Sequence, residues 1–476
     1  APNPAWSHDF SAQPEIRDYL RRVADERGVT PRVRLRHEVR EAAWDDDARR
    51  WRIRTSAGDL TASVLVMAAG ALSDPALPRI PGLATFAGPA FHSSRWDHGV
   101  DLRGKRVAVI GTGASAVQIV PCIQPRVARL DLYQRTPAWI VPRRGGAISP
   151  RRRRLFRRVP LAQRAVRGAI YAFRELLVLG FRHPRAMGAL QRAAERHLRR
   201  GVADPALRAK LTPAWTLGCK RILLSNDFYP ALARPNVEVV TEPIARVVPG
   251  GVVTADGVER PADVIVLATG FRATDPPLAP HVRGRGGRTL AEAWGGSPAA
   301  HVGTTVAGFP NLFLLLGPNT GLGHTSVVYM IEAQIEHLRD ALRQMRRRRA
   351  DAIEPRAEAQ AAYVAEIDAR MRGTVWSSGG CASWYLDATG RNSTLWPGFT
   401  FQFRRRAAPL RPEEYVFHPA RTRGGSDPAA LRATEPIGGR VAGTAGSGEL
   451  REPASRRDGA GRPEMRDEAD VSSEGR

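Results

Sequence analysis

Apolar residues Ile16, Leu20 and Val23 recur at helical spacing in "PEIRDYLRRVADERGV" and predict a helix over 14–29. The pattern then shortens to the period of a strand. "RVRLRHEV" (32–39), "RWRIRT" (50–55) and "SVLVMAAG" (63–70) predict strands, two of them meeting through the charged turn "DDDAR". "SVLVMAAG" is a continuous apolar run ending in glycine, the pattern of a parallel strand covered on both faces. "KRVAVIGTGASAVQIV" (105–120) passes from an apolar strand, Val107 to Ile110, through a glycine turn into a helix, and "RLDLYQR" (129–135) is the next strand. Residues 151–210 change character and predict arginine-rich helices inserted around "LAQRAVRGAIYAFRELLVLGF". Strands return at "NVEVV", "GVVTA" and "DVIVLATGF", and 325–346 predict a long amphipathic helix. There are no internal repeats. From about residue 420 large apolar side chains become scarce, and the chain reads as a disordered tail. Strands alternating with helices predict an α/β fold.

The 476 residues are 43% hydrophobic, which suits two or three globular domains. The net charge is +25, almost all of it arginine, since Lys105, Lys210 and Lys220 are the only lysines. Much of the excess sits in "RRRRLFRR" (151–158), in "QMRRRRA" (344–350) and in the tail. No aromatic-interleaved basic motif accompanies it, so a nucleic-acid partner is not expected. A contact of the basic helices with a membrane surface stays open, as does the oligomeric state. The opening "APNPAWSHDF" has neither a charged start nor an apolar run, so no signal peptide is expected. "AIYAFRELLVLGF" is too short to span a bilayer. Cys122, Cys219 and Cys381 have no metal-ligand spacing, so a reduced, cytoplasmic chain without metal is expected.

Candidate chemistry begins at "GTGASA". Gly111 permits a tight turn, Gly113 lets backbone approach a pyrophosphate, and Ala116 lets helix and strand pack closely. Ser115 and Gln118 stand on the helix so opened, whose free N–H groups face the phosphates. The strand before and the helix after give the motif its context. An NAD site would place an acidic residue about 20 positions on. This chain has Arg135 and Thr136 at the end of the second strand, and a guanidinium there suits a 2′-phosphate, hence NADPH.

"FAGPAFHSSRWD" (86–97) resembles the F-x-G-x-x-x-H-x-x-x-W-(P/D) fingerprint of type I Baeyer–Villiger monooxygenases in the flavin-containing monooxygenase family, through Phe86, Gly88, His92, Trp96 and Asp97. N- and S-oxygenating relatives usually carry Tyr or Phe where Trp96 stands. The resemblance runs from residue 1 to about 403 and includes "LYQRTPAWIVPR", "CKRILLSNDFYP" and "GFPNLFLLLGPNTGLGHTS". It implies two intertwined Rossmann-like domains, one for FAD and one for NADPH. The FAD domain would take residues 1–100 and 271–403, and the NADPH domain 101–140 and 213–270. A helical insertion would occupy 141–212 and a basic, disordered tail 404–476. The strand ends "MAAG" (67–70) and "LATG" (267–270) would mark passages between the two domains.

The implied chemistry is insertion of one oxygen atom from O2 into a ketone through a C4a-peroxyflavin, giving an ester or lactone. A cation beside the reacting oxygen would favour that step, and the resemblance gives the role to Arg221. Lys220 would join Arg135 and Thr136 around the 2′-phosphate, and Val39, Gly70 and Asn319 would meet FAD. A lysine beside an arginine is itself unusual in a chain with three lysines. His92 reads as a structural group, and Trp96 fits a core position as well as the fingerprint.

No strand–GxGxxG–helix unit stands ahead of residue 105, so the N-terminal βαβ of the FAD domain is expected to be absent and the chain to be truncated. Two readings stay open beside ketone oxygenation, and a third is excluded. One is N- or S-oxygenation of another soft organic substrate. The second is an inert NADP-binding remnant or an interaction protein. The third, a disulfide reductase, needs a C-x-x-x-x-C pair that the three cysteines do not supply.

Overall fold

A computed structural model of the chain describes residues 2–421. Helix α1 (Gln13–Glu26) carries Pro14 in its first turn and ends before Gly28, whose φ is +62°, sooner than the sequence pattern predicts. Ile16 and Leu20 lie exposed, and no α1 residue is buried. The strand expected over 32–39 does not form. A 3-10 turn occupies Thr30–Arg32, and the chain enters β1 (Val39–Asp45) only afterwards. The core decides this, because Ala42 and Trp44 of β1 are buried whereas Val33 and Leu35 are exposed. β1 turns through the "DDDAR" segment into β2 (Arg50–Thr55), and β3 (Gly58–Ala62) completes an antiparallel meander.

β4 (Leu65–Met67) is the ordered part of "SVLVMAAG". It pairs in parallel, as predicted, but Val66 is exposed, so the strand is not covered on both faces. β5 (Ala90–His92), β6 (Arg106–Ile110) and β7 (Arg129–Tyr133) follow, with α2 (Ala114–Ile123) crossing from β6 to β7. The short β8 (Ile140–Val141) leads into the helical region. There α3 (Pro150–Arg158) and α4 (Pro160–Arg182) each start at a proline, the first capped by Ser149. α5 (Gly188–Gly201) and α6 (Pro205–Lys210, capped by Asp204) complete the region.

β9 (Leu223–Leu224) pairs with β8. α7 (Phe228–Leu232) leads to β10 (Val237–Val240), to a meander of β11 (Ile244–Val248), β12 (Gly251–Thr254) and β13 (Glu259–Pro261), and to β14 (Val264–Leu267). β15 (Val282–Arg283) joins the edge of the first meander, and α8 (Leu290–Trp294) begins with a Thr289–Glu292 capping box. β16 (Leu312–Leu314) pairs with β4. α9 (Val327–Arg347, capped by Ser326) is the predicted long helix.

Residues 404–421, expected within the tail, are ordered. After β17 (Ala350–Pro355), α10 (Ala357–Met371) and α11 (Val375–Ser378), helix α12 (Thr400–Ala407) packs Phe403 and Ala407 into the core. β18 (Tyr415–Pro419) then pairs antiparallel with β17. The rest of the expected tail, 422–476, lies outside the described residues.

One five-stranded parallel sheet dominates, in the order β10-β7-β6-β14-β5. Its middle strands carry apolar residues on both faces: Val107, Val109, Leu130, Leu132, Val264 and Val266 face one core, and Ala108, Ile110, Tyr133 and Ile265 face another that Val247 of β11 and Val252 of β12 complete. The α/β expectation therefore holds. All five strands end at one edge, where ligands of open parallel sheets bind.

Candidate functional site

At that edge β6 runs into Gly111. A Cβ there would lie 2.4 Å from the Ala268 carbonyl oxygen at the end of β14, and φ is +114°, so glycine is required twice over. Gly113 is the N-cap of α2 and has open space where a Cβ would point. No side chain caps the helix, so its first N–H groups face outward, as an anion site needs. Ala116 is fully buried against the sheet, and Ser115 is half-buried one residue earlier. Gln118 turns its amide back to the Ala114 carbonyl at 2.9 Å.

The second strand brings its end to the same place. The Thr112 hydroxyl donates to the Thr136 carbonyl at 2.7 Å, tying the glycine loop to the end of β7. Lys220, 84 residues later, donates from Nζ to Thr136 Oγ1 at 3.1 Å. The same ammonium lies 4.2 Å from the centre of the Trp215 ring. Burial lowers the Lys220 pKa, and the nearby Arg135 charge lowers it further. The fold thus assembles an exposed guanidinium, a hydroxyl and a half-buried ammonium beside an open glycine loop. Two cations this close repel each other, and a dianionic phosphate between them would remove the repulsion. These residues fit a nucleotide with a 2′-phosphate.

Arg221 is exposed, next to Lys220. Burial pushes the Tyr385 phenol up to about 12, and the Arg221 charge opposes that rise. No sequence signal links these two residues.

The 86–97 stretch lies along one edge of the parallel sheet. Phe86 packs into the core, and Gly88 approaches the Asp263 carbonyl so closely that a Cβ would sit 2.3 Å away. β5 contains His92, which is buried and accepts from the Ser94 backbone N–H at Nδ1, 3.2 Å away. Its ring meets Phe271 edge-on at 5.5 Å, just past "LATG". Burial lowers its pKa, which keeps the imidazole neutral at pH 7. Trp96 packs edge-on against Phe91 at 5.1 Å, and Asp97 accepts from the Gly99 N–H at 2.9 Å.

A second parallel ladder carries the other candidate loops. Met67 of β4 is paired with Leu314 of β16, so segments 68–70 and 315–319 leave side by side. Gly70 has φ +72° and open space at the Cβ position, a cradle that a ligand could enter. Asn319 is buried at φ +56°, and its side chain is spent on Asn392, Leu395 and Arg391. It shapes the loop through its backbone. Val39 is exposed at the start of β1. The segment that follows "MAAG" meets "LATG": the Ala76 N–H donates to the Gly270 carbonyl at 2.9 Å, and the Thr269 hydroxyl donates to the Ala76 carbonyl at 2.7 Å. The chain crosses between the two ladders at this point. The Gly70 loop fits a flavin nucleotide as an open glycine turn at the ends of parallel strands.

The expectation of a reduced chain is overturned as well. Cys219 and Cys381, 162 residues apart in sequence, form a disulfide, so the chain is not fully reduced, and only Cys122 is a free thiol. The spacing gave no sign of this, because tertiary folding alone brings the two segments together. A buried Glu175–His324 pair at 3.2 Å was also missed. It joins α4 to the loop before α9, and Glu175 accepts from Thr400 as well. Its partners lie 149 residues apart, beyond any local pattern.

The pyridine nucleotide-disulphide oxidoreductase family profile matches residues 1–163. A Baeyer–Villiger monooxygenase of Streptomyces coelicolor is 52% identical over 423 residues, covering 88% of this chain and 82% of the relative. One from Pseudomonas aeruginosa is 51% identical over 84% of this chain and 77% of its own length. Among solved structures, cyclohexanone monooxygenase from Rhodococcus sp. Phi1, bound to NADP+, superposes with a TM-score of 0.77 at 29% identity, covering 87% of this chain and 86% of that one. OTEMO in complex with FAD and NADP also reaches 0.77, at 28% identity over 86% of each chain. With the fingerprint residues laid along its parallel sheet and relatives above half identity across most of its length, the chain belongs to the Baeyer–Villiger monooxygenase family.

Proposed function

We propose that the chain uses NADPH, FAD and O2 to convert a ketone to an ester or lactone. The observation that carries this reading is the convergence of Lys220, Thr136 and Arg135 beside the Gly111–Gly113 loop. Gly111, Gly113, Ser115, Ala116 and Gln118 form the pyrophosphate end of the NADPH site, and Arg135, Thr136 and Lys220 hold the 2′-phosphate. Val39, Gly70 and Asn319 border the flavin. Bound FAD supplies the electron transfer from NADPH to O2. Arg221 contributes a fixed cation where negative charge develops on oxygen. The stretch of Phe86, Gly88, His92, Trp96 and Asp97 links the sheet edge to the crossing at Gly270. Residues 101–140 and 213–270 form the NADPH domain, 141–212 an insertion, and 1–100 with 271–403 the flavin domain. Cytoplasmic residence and contact of the basic helices with a membrane surface belong to the same proposal.

The test supplies FAD and NADPH in 18O2-enriched buffer, with a cyclic ketone, a tertiary amine and a sulfide offered separately. Lactone carrying one 18O is the expected product. Exclusive N- or S-oxide formation, or NADPH consumption without any oxygenated product, would overturn the ketone reading.

A further inference from the structure

Among the described residues, none covers the outer face of α4. Leu161 (68% exposed), Phe173 (67%), Leu176 (60%), Ile170 and Leu179 all stand in solvent, with Ala165, Ala169 and Ala172 exposed between them. At about 100° per residue these positions share roughly half of the helix circumference, and that half holds no charged side chain. The 23-residue helix is about 35 Å long, so the bare strip is far larger than a scattered surface leucine. Leu155 and Val159, at the junction with α3, extend it.

The opposite face is engaged through the C-terminal half of the helix. Glu175, Val178 and Phe181 are buried, the Tyr171 hydroxyl lies 2.9 Å from Thr400 Oγ1, and Glu175 accepts from the Thr400 N–H at 2.9 Å. The helix is therefore held firmly, with its apolar outer face turned away from the protein.

Charge decides what that face fits. Residues 150–202 contain fifteen arginines and two glutamates, and Glu175 is buried in the network just described. Among the described residues, only Arg152, paired with Asp9 at 3.4 Å, spends an arginine of this stretch on an ion pair. The arginines of α4 itself, 164, 167, 174 and 182, fall on the half away from the bare strip. A second copy of the chain would bring two such cationic surfaces together, which like-charge repulsion opposes. A nucleic acid would neutralise the arginines and leave the apolar strip in water. An apolar strip bordered by arginines matches an anionic bilayer surface, where the acyl boundary takes the apolar face and the headgroups take the charge. No helix among the described residues is long and apolar enough to cross a membrane, so the contact is peripheral.

We propose that α3 and α4 dock on anionic lipid surfaces, with Leu161, Ile170, Phe173, Leu176 and Leu179 inserted at the acyl boundary and the α3 arginines on the headgroups. The proposal deepens the membrane contact proposed above and is independent of the oxygenation chemistry.

Flotation of the full chain with vesicles of phosphatidylcholine alone, and of phosphatidylcholine and phosphatidylglycerol in equal parts, tests it. The wild type floats with the anionic vesicles only, and raising the salt weakens the association. The double variant Phe173→Glu, Leu176→Glu loses at least about tenfold in partitioning, since two buried carboxylates replace two apolar side chains. It keeps its melting temperature and its turnover of a water-soluble ketone. Arg154→Gln with Arg157→Gln and Arg158→Gln weakens flotation with the apolar strip intact. Equal flotation with neutral vesicles, or flotation unchanged in the Glu variant, would overturn the proposal. So would a wild type that binds no vesicles but sediments as a dimer, or binds duplex DNA instead. Failure to oxygenate the soluble ketone, with flotation intact, would count against the proposed function alone.

Discussion

Lys220 holds two positions at once, a hydrogen bond to Thr136 and the face of Trp215. A charged hydrogen bond contributes about 1.5–3 kcal/mol. Lys220→Met is therefore expected to raise the KM for NADPH about 10- to 100-fold, to leave that for NADH nearly unchanged and to spare kcat. Steady-state kinetics with both nucleotides checks this, and calorimetric titration of NADP+ gives a readout without turnover. Because burial and Arg135 lower the Lys220 pKa, its charge is lost at a lower pH than an ordinary lysine loses its own. NADPH affinity should fall correspondingly early on the alkaline side. The two loop glycines separate fold from binding. Gly111→Ala drives a Cβ into the Ala268 carbonyl at positive φ and should cost at least about 1–2 kcal/mol, seen as a lower melting temperature. Gly113→Ala meets nothing among the described residues and should keep the melting temperature but lose the stabilisation that NADP+ adds.

At the scale of elements, the segment carrying Lys220 and Arg221 is short of regular structure and is fastened from outside. Thr216 donates to the Gly379 carbonyl at 3.1 Å, and Cys219 is bonded to Cys381 beside it. A native disulfide typically stabilises by about 2–4 kcal/mol, mainly by restricting the unfolded chain. Cys219→Ser, or treatment with a thiol reductant, is expected to lower the unfolding free energy by that amount, seen as a lower denaturant midpoint. A midpoint indifferent to reductant, with three titratable thiols in the untreated protein, would show the bridge to be unformed. The same scale explains the misplaced first strand. "RVRLRHEV" alternates as well as β1 does, but only β1 offers Ala42 and Trp44 to a core that β2 and α8 complete.

Across the whole molecule, four buried imidazoles mark distant segments: His92, His301, His324 and His337. Burial lowers the pKa of each, that of His337 to about 4. The unfolded chain binds protons near pH 6.5 where the folded one does not, so stability is complete above that pH and is lost as pH falls toward 4. Urea midpoints should decline between pH 7 and pH 5, with net proton uptake on unfolding. A flat profile would show these histidines to be solvated. The sequence by itself determined the units whose signals are local. The β6–glycine–α2 turn, the strand ends, the arginine-rich helices and the 86–97 spacing each depend on neighbours within a few turns of chain, and all were legible. Tertiary structure alone decided what comes together across long separations. It brought Lys220 to Thr136, Cys219 to Cys381 and Glu175 to His324, and it gave α4 one engaged face and one bare face. The physical reason is that propensity and periodicity act over a few residues, whereas packing acts between surfaces that only the completed sheet brings into contact.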